Sequence, residues 1–275
     1  MSKQGNSKDY KDLDFADDFL FCKILEKNLD LTKEILEVIL NIKITKLKAV
    51  ISQRSLKLTP FDHGVRLDIY VQDENETSYD IEMQATNEPS IGKRSRYYHG
   101  MIDLDSIENG STYSELKKSY VIFVCKKKPS SFEINLPIYT FIRQCQEDKR
   151  VDLKDESITV VLNANGPKEG LSAELSSLLT YINTSLVTDE LSSRLEKEVE
   201  DARSSTEWRI EYMTWQMKLD ETYRMGRDDG IDLGKAQVIS QLIQAGMTMD
   251  DITKALNCTN EDVEELLKNL DEENE

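Results

Sequence analysis

RLDIYV at residues 66–71 and YDIEMQ at 79–84, joined by the polar run QDENETS at 72–78, decide how this chain is read. Both segments alternate apolar and polar residues with the period of two that a strand imposes, and the polar linker suits a hairpin. In an antiparallel pair the numbers of facing residues have a constant sum. Val71 opposite Tyr79 fixes that sum and brings Asp68 opposite Glu82, with Cβ atoms roughly 4.5 to 5.5 Å apart. Alternation then places Asp68, Glu82 and Gln84 on one face and Leu67, Ile69, Ile81 and Met83 on the other.

Working outward, LKAVIS at 47–52 reads as a further strand, SYVIFVC at 119–125 as a strand buried on both faces, and ITVVLN at 158–163 as another. Phe21, Ile24 and Leu25, then Ile35, Leu36, Ile39 and Leu40, recur at helical spacing around a polar break at 28–32, which predicts two helices before the strands. Residues 93–109 read as a helix stopped by Gly110. Beyond Gly170 strand signals vanish and helical spacing runs through to the end. The chain is therefore expected to divide into residues 1–170 and a helical region 171–275.

Within that second region Leu191, Leu195, Val199 and Ala202, then Trp208, Tyr212, Trp215 and Leu219, are too irregularly spaced for a coiled-coil seam. Gly226, Gly230 and Gly234 each weaken a helix by about 1 kcal/mol, so a flexible joint is expected near 226–234. A small module at 235–270 follows, with helices near 236–245, 249–256 and 260–269. Its Thr248 to Asp251 and Thr259 to Asp262 resemble capping boxes.

The formal charge of −17 is unevenly placed. Residues 1–130 hold 20 Lys and Arg against 21 Asp and Glu, whereas residues 131–275 hold 15 against 31. Phosphate backbones are bound mainly through Lys and Arg, so a nucleic-acid partner belongs to the first half. The helix at 260–269 is too acidic to read DNA, and the tail is expected to serve packing or homo-oligomerisation. Four cysteines at 22, 125, 145 and 258, with two histidines, give neither a zinc spacing nor a disulfide framework. The longest apolar runs fall short of the roughly 18 to 20 residues of a membrane span, and a cytoplasmic protein is expected.

Two carboxylates facing each other on a sheet repel, by less than 1 kcal/mol in water and by about 3 kcal/mol at an effective dielectric near 20. A hard divalent cation with oxygen ligands relieves that repulsion; Mg²⁺ commonly takes one or two carboxylates, several waters and phosphate oxygens. The chemistry this suggests is metal-assisted phosphodiester hydrolysis. The spacing alone also fits two acids on the solvated face of a hairpin, bridged by water or lysine.

RLD followed a dozen residues later by IEMQ, with DFLFCKIL at 18–25 and RSRYYHG at 94–100, resembles the PD-(D/E)XK nuclease superfamily, and within it the Rpn group of recombination-promoting nucleases and transposases. The resemblance covers about residues 12–130. It implies an α/β fold, a mixed sheet flanked by helices with a restriction-endonuclease-like core, here carrying an all-α C-terminal extension. It also implies that Asp68 and Glu82 bind Mg²⁺ or Mn²⁺, with the carbonyl of Met83 as a further ligand. Gln84 stands where the best-known members have lysine, and an amide hydrogen-bonds where an ammonium would stabilise charge. An acidic residue on the first helix completes the family's set; Asp18 matches it best and Asp17 is its rival, though an Asp at a helix start also serves as a cap.

Lys93, Arg94 and Arg96 beside Tyr97 and Tyr98 combine phosphate-seeking charge with aromatic faces and suit contacts to the DNA backbone. The same residues also fit a solvated helix face. His99 has a pKa suited to acid–base work but sits beside tyrosine as structural histidines do, and His63 lies in a polar loop. Lys126 to Lys128 close a buried strand. The leading expectation is a Mg²⁺-dependent DNA endonuclease with Asp18, Asp68, Glu82 and Gln84 as its catalytic set. The alternative is a catalytically silent protein of the same fold that acts through its acidic helical tail.

Overall fold

In the computed structural model, residues 8–56, 65–86, 89–107 and 110–273 are described; His63 lies outside them. The two expected N-terminal helices are α1 (Asp18–Lys27) and α2 (Leu29–Leu40). Six strands follow: β1 (Ile51–Leu56), β2 (Val65–Gln72), β3 (Ser78–Gln84), β4 (Ser119–Cys125), β5 (Ile138–Phe141) and β6 (Ser157–Asn163), with α3 (Ile91–Ser106) between β3 and β4. They form one mixed sheet in the order β1-β2-β3-β4-β6-β5. The β1, β2 and β3 pairings are antiparallel, β3–β4 and β4–β6 parallel, and β5 closes the far edge antiparallel to β6. A parallel β3–β4 pair needs a crossover, which α3 supplies.

β1 begins four residues later than LKAVIS. Leu47 instead forms an isolated bridge with Asp73, and the Lys48 amide donates to the Gln72 carbonyl, which holds that segment across the end of β2. The edge strand β5 has no counterpart among the sequence expectations. All seven residues of β4 are buried, as a strand covered on both faces requires.

The hairpin face carrying Glu82 is not solvated. Ile91, Tyr98, Met101 and Ile102 of α3 pack there with Tyr70, Val121, Phe123 and Val161 of the sheet, so every residue of β3 except Gln84 is buried. α1 lies against β1 and β2 and buries six of its ten residues, too many for a surface helix.

The sheet belongs to a compact unit that runs to Trp208, past residue 170. It takes in α4 (Ala173–Thr184) and α5 (Glu190–Ser204), which pack on α2 and α1. Leu191, Leu195, Val199 and Ala202 are buried in this unit rather than forming a seam, and the Tyr10 hydroxyl donates to the Ala202 carbonyl at 2.5 Å. A second unit starts at Arg209. It contains most of α6 (Thr206–Gln244), together with α7 (Met249–Leu256) and α8 (Asn260–Glu273). Ile239, Ile252 and Val263 form its core, with Leu242, Met249 and Leu266 packed around them.

The Thr259 box is reciprocal: the Asp262 amide donates to Thr259 Oγ1, and the Thr259 amide to Asp262 Oδ2. At 226–234, where a joint is expected, the backbone is helical and α6 is continuous. Buried Tyr212 on one side and Ala236 and Ile239 on the other anchor the helix, so the glycine turns extend an existing helix without a new nucleation step.

Candidate metal and phosphodiester site

The β2–β3 ladder has the register read from the sequence, with Val71 opposite Tyr79 and Ile69 opposite Ile81. At the next position the two strands part, and side chains replace the ladder. The Asp68 amide donates to Glu82 Oε1 at 2.9 Å, and the Met83 amide donates to Asp68 Oδ2 at 3.0 Å. Each acid therefore anchors the other's strand. On the other side of β2, Ser52 pairs with Ile69 and Arg54 with Leu67, and the residue between them, Gln53, has φ 50°. A left-handed residue in an edge strand gives the local irregularity that re-aims side chains beside functional sites.

Glu82 is 2% exposed. Its second oxygen, Oε2, accepts from Arg94 Nη2 at 3.0 Å. Arg94 Nη1 donates to Gln84 Oε1 at 2.9 Å, and Nη2 also donates to the Tyr98 hydroxyl at 2.9 Å. The guanidinium lies 5.3 Å from the ring centroids of both Tyr98 and Phe123. Gln84 Nε2 turns to the Met83 carbonyl at 3.2 Å.

On the other flank, one ligand atom each from Asp18, Cys22 and Asp68 lie within 4.8 Å of one another. The Cys22 thiol donates to Asp18 Oδ1 at 3.7 Å and to the Asp68 carbonyl at 3.6 Å. Burial first, and then the Asp18 and Asp68 charges, push that thiol far above its usual range, so with no ion bound Cys22 is a neutral thiol that donates to the Asp18 carboxylate and the Asp68 carbonyl. The structure separates the two rival aspartates. Asp17 Oδ2 accepts from the Asp14 amide at 2.7 Å and from Lys8 at 2.8 Å, whereas Asp18 is the aspartate beside Asp68.

The sequence reading missed Asp80. It is fully buried, two residues before Glu82 on the same side of β3; no N–H or hydroxyl donor of the described residues meets its carboxyl, whose interaction is with the Glu82 carboxyl beside it. The signal was present in the alternation Asp80, Glu82, Gln84. Burial, followed by repulsion from Glu82 and Asp68, holds its carboxyl well above the ordinary carboxylate range. Asp68 is pushed up to about 8 by burial, then by Glu82 and Asp18, against the opposing Met83 amide and Arg94. Burial also raises Glu82 and Asp18.

The expected backbone contacts divide. Lys93 and Arg96 are exposed and Tyr97 is 45% exposed, while Arg94 turns inward to the acids. His99 is buried against the starts of β4 and β6, with Nδ1 2.8 Å from Ser119 Oγ and Nε2 3.2 Å from Thr159 Oγ1. Burial and Arg143 lower its pKa to about 4, so it is neutral at physiological pH. Lys126 pairs with Asp14 at 3.0 Å and Lys128 donates to the Phe132 carbonyl.

Among the described residues no helix is long and apolar enough to cross a membrane. No curated protein and no solved structure matches the chain. Residues 13–153, just over half of it, match the family described as PD-(D/E)XK nuclease family transposase. That span contains the whole cluster of acids at the parting of β2 and β3, and the chain belongs to the PD-(D/E)XK nuclease family of transposases.

Proposed function

We propose that the protein is a DNA endonuclease that hydrolyses phosphodiester bonds with bound Mg²⁺ or Mn²⁺. The observation that carries this reading is the interlock of Asp68 and Glu82. Four acids, Asp18, Asp68, Asp80 and Glu82, gather where two strands part, and each is held above its ordinary pKa by burial. With pKa values raised in this way the cluster holds protons when no ion is bound, and a divalent cation, together with Arg94 beside Glu82 and Arg66 near Asp18, would let the carboxylates ionise.

The donor set fits a hard ion. Asp68 Oδ1 takes no hydrogen bond among the described residues, Glu82 keeps a lone pair on each oxygen beyond its present partners, and the Met83 carbonyl adds a third oxygen. Asp68, Glu82 and Met83 would hold the ion, with Asp18 assisting. Bound there, it would supply a water of lowered pKa and neutralise charge growing on the phosphate.

The protein's own groups orient that site. The Asp68 and Met83 amides fix the two carboxylates, Gln84 offers a side-chain amide beside them, and exposed Lys93 and Arg96 seat the DNA backbone. Nicking of supercoiled plasmid DNA with Mn²⁺ tests the reading. Asp68→Asn and Glu82→Gln should each abolish it without lowering thermal stability; full activity in both variants would refute it.

A second reading, a silent nuclease fold acting through its tail, is favoured by Arg94 on Glu82 and by the absence of lysine at 84. It requires that no divalent ion binds even with DNA present. Self-association through the tail is compatible with either reading, because residues 217–232 of α6 are exposed on every side and include Met217, Tyr223, Met225 and Ile231.

A further inference from the structure

The geometry points to Arg94 as a positioning residue of the reaction centre, one that delivers from α3 the fixed positive charge that Gln84 cannot supply. This deepens, and rests on, the endonuclease reading. In hydrolysis the oxygen of a water bonds to phosphorus and the ester P–O bond breaks. The bonding pair leaves on the ester oxygen, which takes up a proton, and negative charge rises on the phosphoryl oxygens on the way. A preorganised cation near that charge lowers the barrier.

Among the described residues Arg94 is the cation hydrogen-bonded to the acid cluster, and its fork spans Glu82 Oε2 and Gln84 Oε1. Three features hold the guanidinium in place: that fork, the Tyr98 hydroxyl, and the neighbouring Tyr98 and Phe123 rings, whose centroids are 6.1 Å apart. A residue whose task was to grip DNA backbone would extend into solvent, as Lys93 and Arg96 do; the Arg94 side chain is 27% exposed and points the other way. It remains near enough to the surface for its charge to act on a phosphate at the site. Arginine does not deprotonate in proteins, so Arg94 serves as charge and brace and not as a base. Its bond to Gln84 Oε1 also fixes which way that amide points, leaving Nε2 toward the Met83 carbonyl.

The test uses the full-length chain in four forms besides wild type: Arg94→Met, Arg94→Lys, the double variant Gln84→Lys/Arg94→Met, and Asp68→Asn. Two readouts are taken, calorimetric titration with Mn²⁺ alone and plasmid nicking. Arg94→Met should bind Mn²⁺ at least as tightly as wild type, since a neighbouring positive charge has gone, yet nick about 100-fold more slowly. Arg94→Lys keeps a charge without the fork and should lose roughly tenfold. The double variant places an ammonium at position 84 and should recover roughly tenfold or more over Arg94→Met, a rescue that a purely structural role does not give.

Arg94→Met nicking within about threefold of wild type, or a double variant no faster than Arg94→Met, overturns the assignment. Should Arg94→Met fail to fold, Arg94→Lys decides: a roughly tenfold loss supports the assignment and nicking at the wild-type rate overturns it. Asp68→Asn nicking at the wild-type rate sinks the endonuclease reading itself. Asp68→Asn inactive while Arg94→Met is fully active sinks the Arg94 role alone. A wild type that neither binds Mn²⁺ nor nicks overturns both.

Discussion

Acidification should weaken the sheet unit through His99, by an amount that can be worked out. The ring is 4% exposed, its two nitrogens meet Ser119 and Thr159, and Arg143 stands close enough to oppose a second positive charge. In the unfolded chain His99 takes its proton near pH 6.5, and in the folded chain only near about 4. A lowered histidine pKa means that the contribution is fully present above pH 6.5 and is lost as pH falls toward 4, because the unfolded state binds the proton first. Between pH 7.5 and pH 5 that loss is about 2 kcal/mol, and it reaches about 3 kcal/mol once both states are protonated.

Other groups titrate over the same range, so His99→Gln is needed for comparison. Its amide keeps polar partners for the two hydroxyls and carries no proton equilibrium there. Urea unfolding can be followed by the near-ultraviolet signal of the stacked Tyr79 and Tyr120 rings, 5.4 Å apart beside Ser119. The variant should start less stable at pH 7.5, and the gap to wild type should close by about 2 kcal/mol at pH 5. Curves that stay parallel across this range would refute a neutral buried His99 and reopen an acid–base role for it.

Replacing exposed Lys93 and Arg96 with alanine should weaken DNA binding to a similar degree for all sequences, and should flatten the slope of log affinity against log salt by about 0.9 for each phosphate no longer neutralised; an unchanged slope would remove both from the interface. In α6, a Cβ added at Gly226, Gly230 or Gly234 meets no heavy atom within 4 Å. Each Gly→Ala change should therefore stabilise the second unit by up to about 1 kcal/mol in thermal unfolding. Destabilisation would instead show that this glycine face is covered in solution, which sedimentation of the same variants would reveal as a loss of oligomer.

The centre of the fold was legible because its strands are long and distinctive: SYVIFVC has no polar face, and the register of the hairpin follows from Val71 and Tyr79. β1 was placed too early since Leu47, Ala49 and Val50 mimic a strand, whereas the ladder starts at Ile51 and runs through the more polar Ser52 to Ser55, whose pairing depends on β2. The four-residue β5 exists through its partner β6 and has too little pattern of its own. Period-two alternation identifies which residues share a face but not what covers it. Thus Asp80 passed unnoticed, and Arg94 was assigned to the solvent side of a helix whose neighbouring Lys93 and Arg96 are indeed exposed. The inward turn of Arg94 is a consequence of buried carboxylates attracting the nearest guanidinium, and that requires knowing where α3 lies. The juxtaposition of Asp68 and Glu82 was legible because it is local to the hairpin, while the placing of Asp18 rather than Asp17 beside Asp68 depends on how α1 meets β2.

Calorimetric titration of the wild-type chain, Asp68→Asn and Glu82→Gln with Mn²⁺ tests the central claim most directly. One saturable site in wild type, lost in either variant while the fold persists, is the expected result. Equal binding in all three proteins would contradict it, since the ion would then be held by oxygens other than those of Asp68 and Glu82.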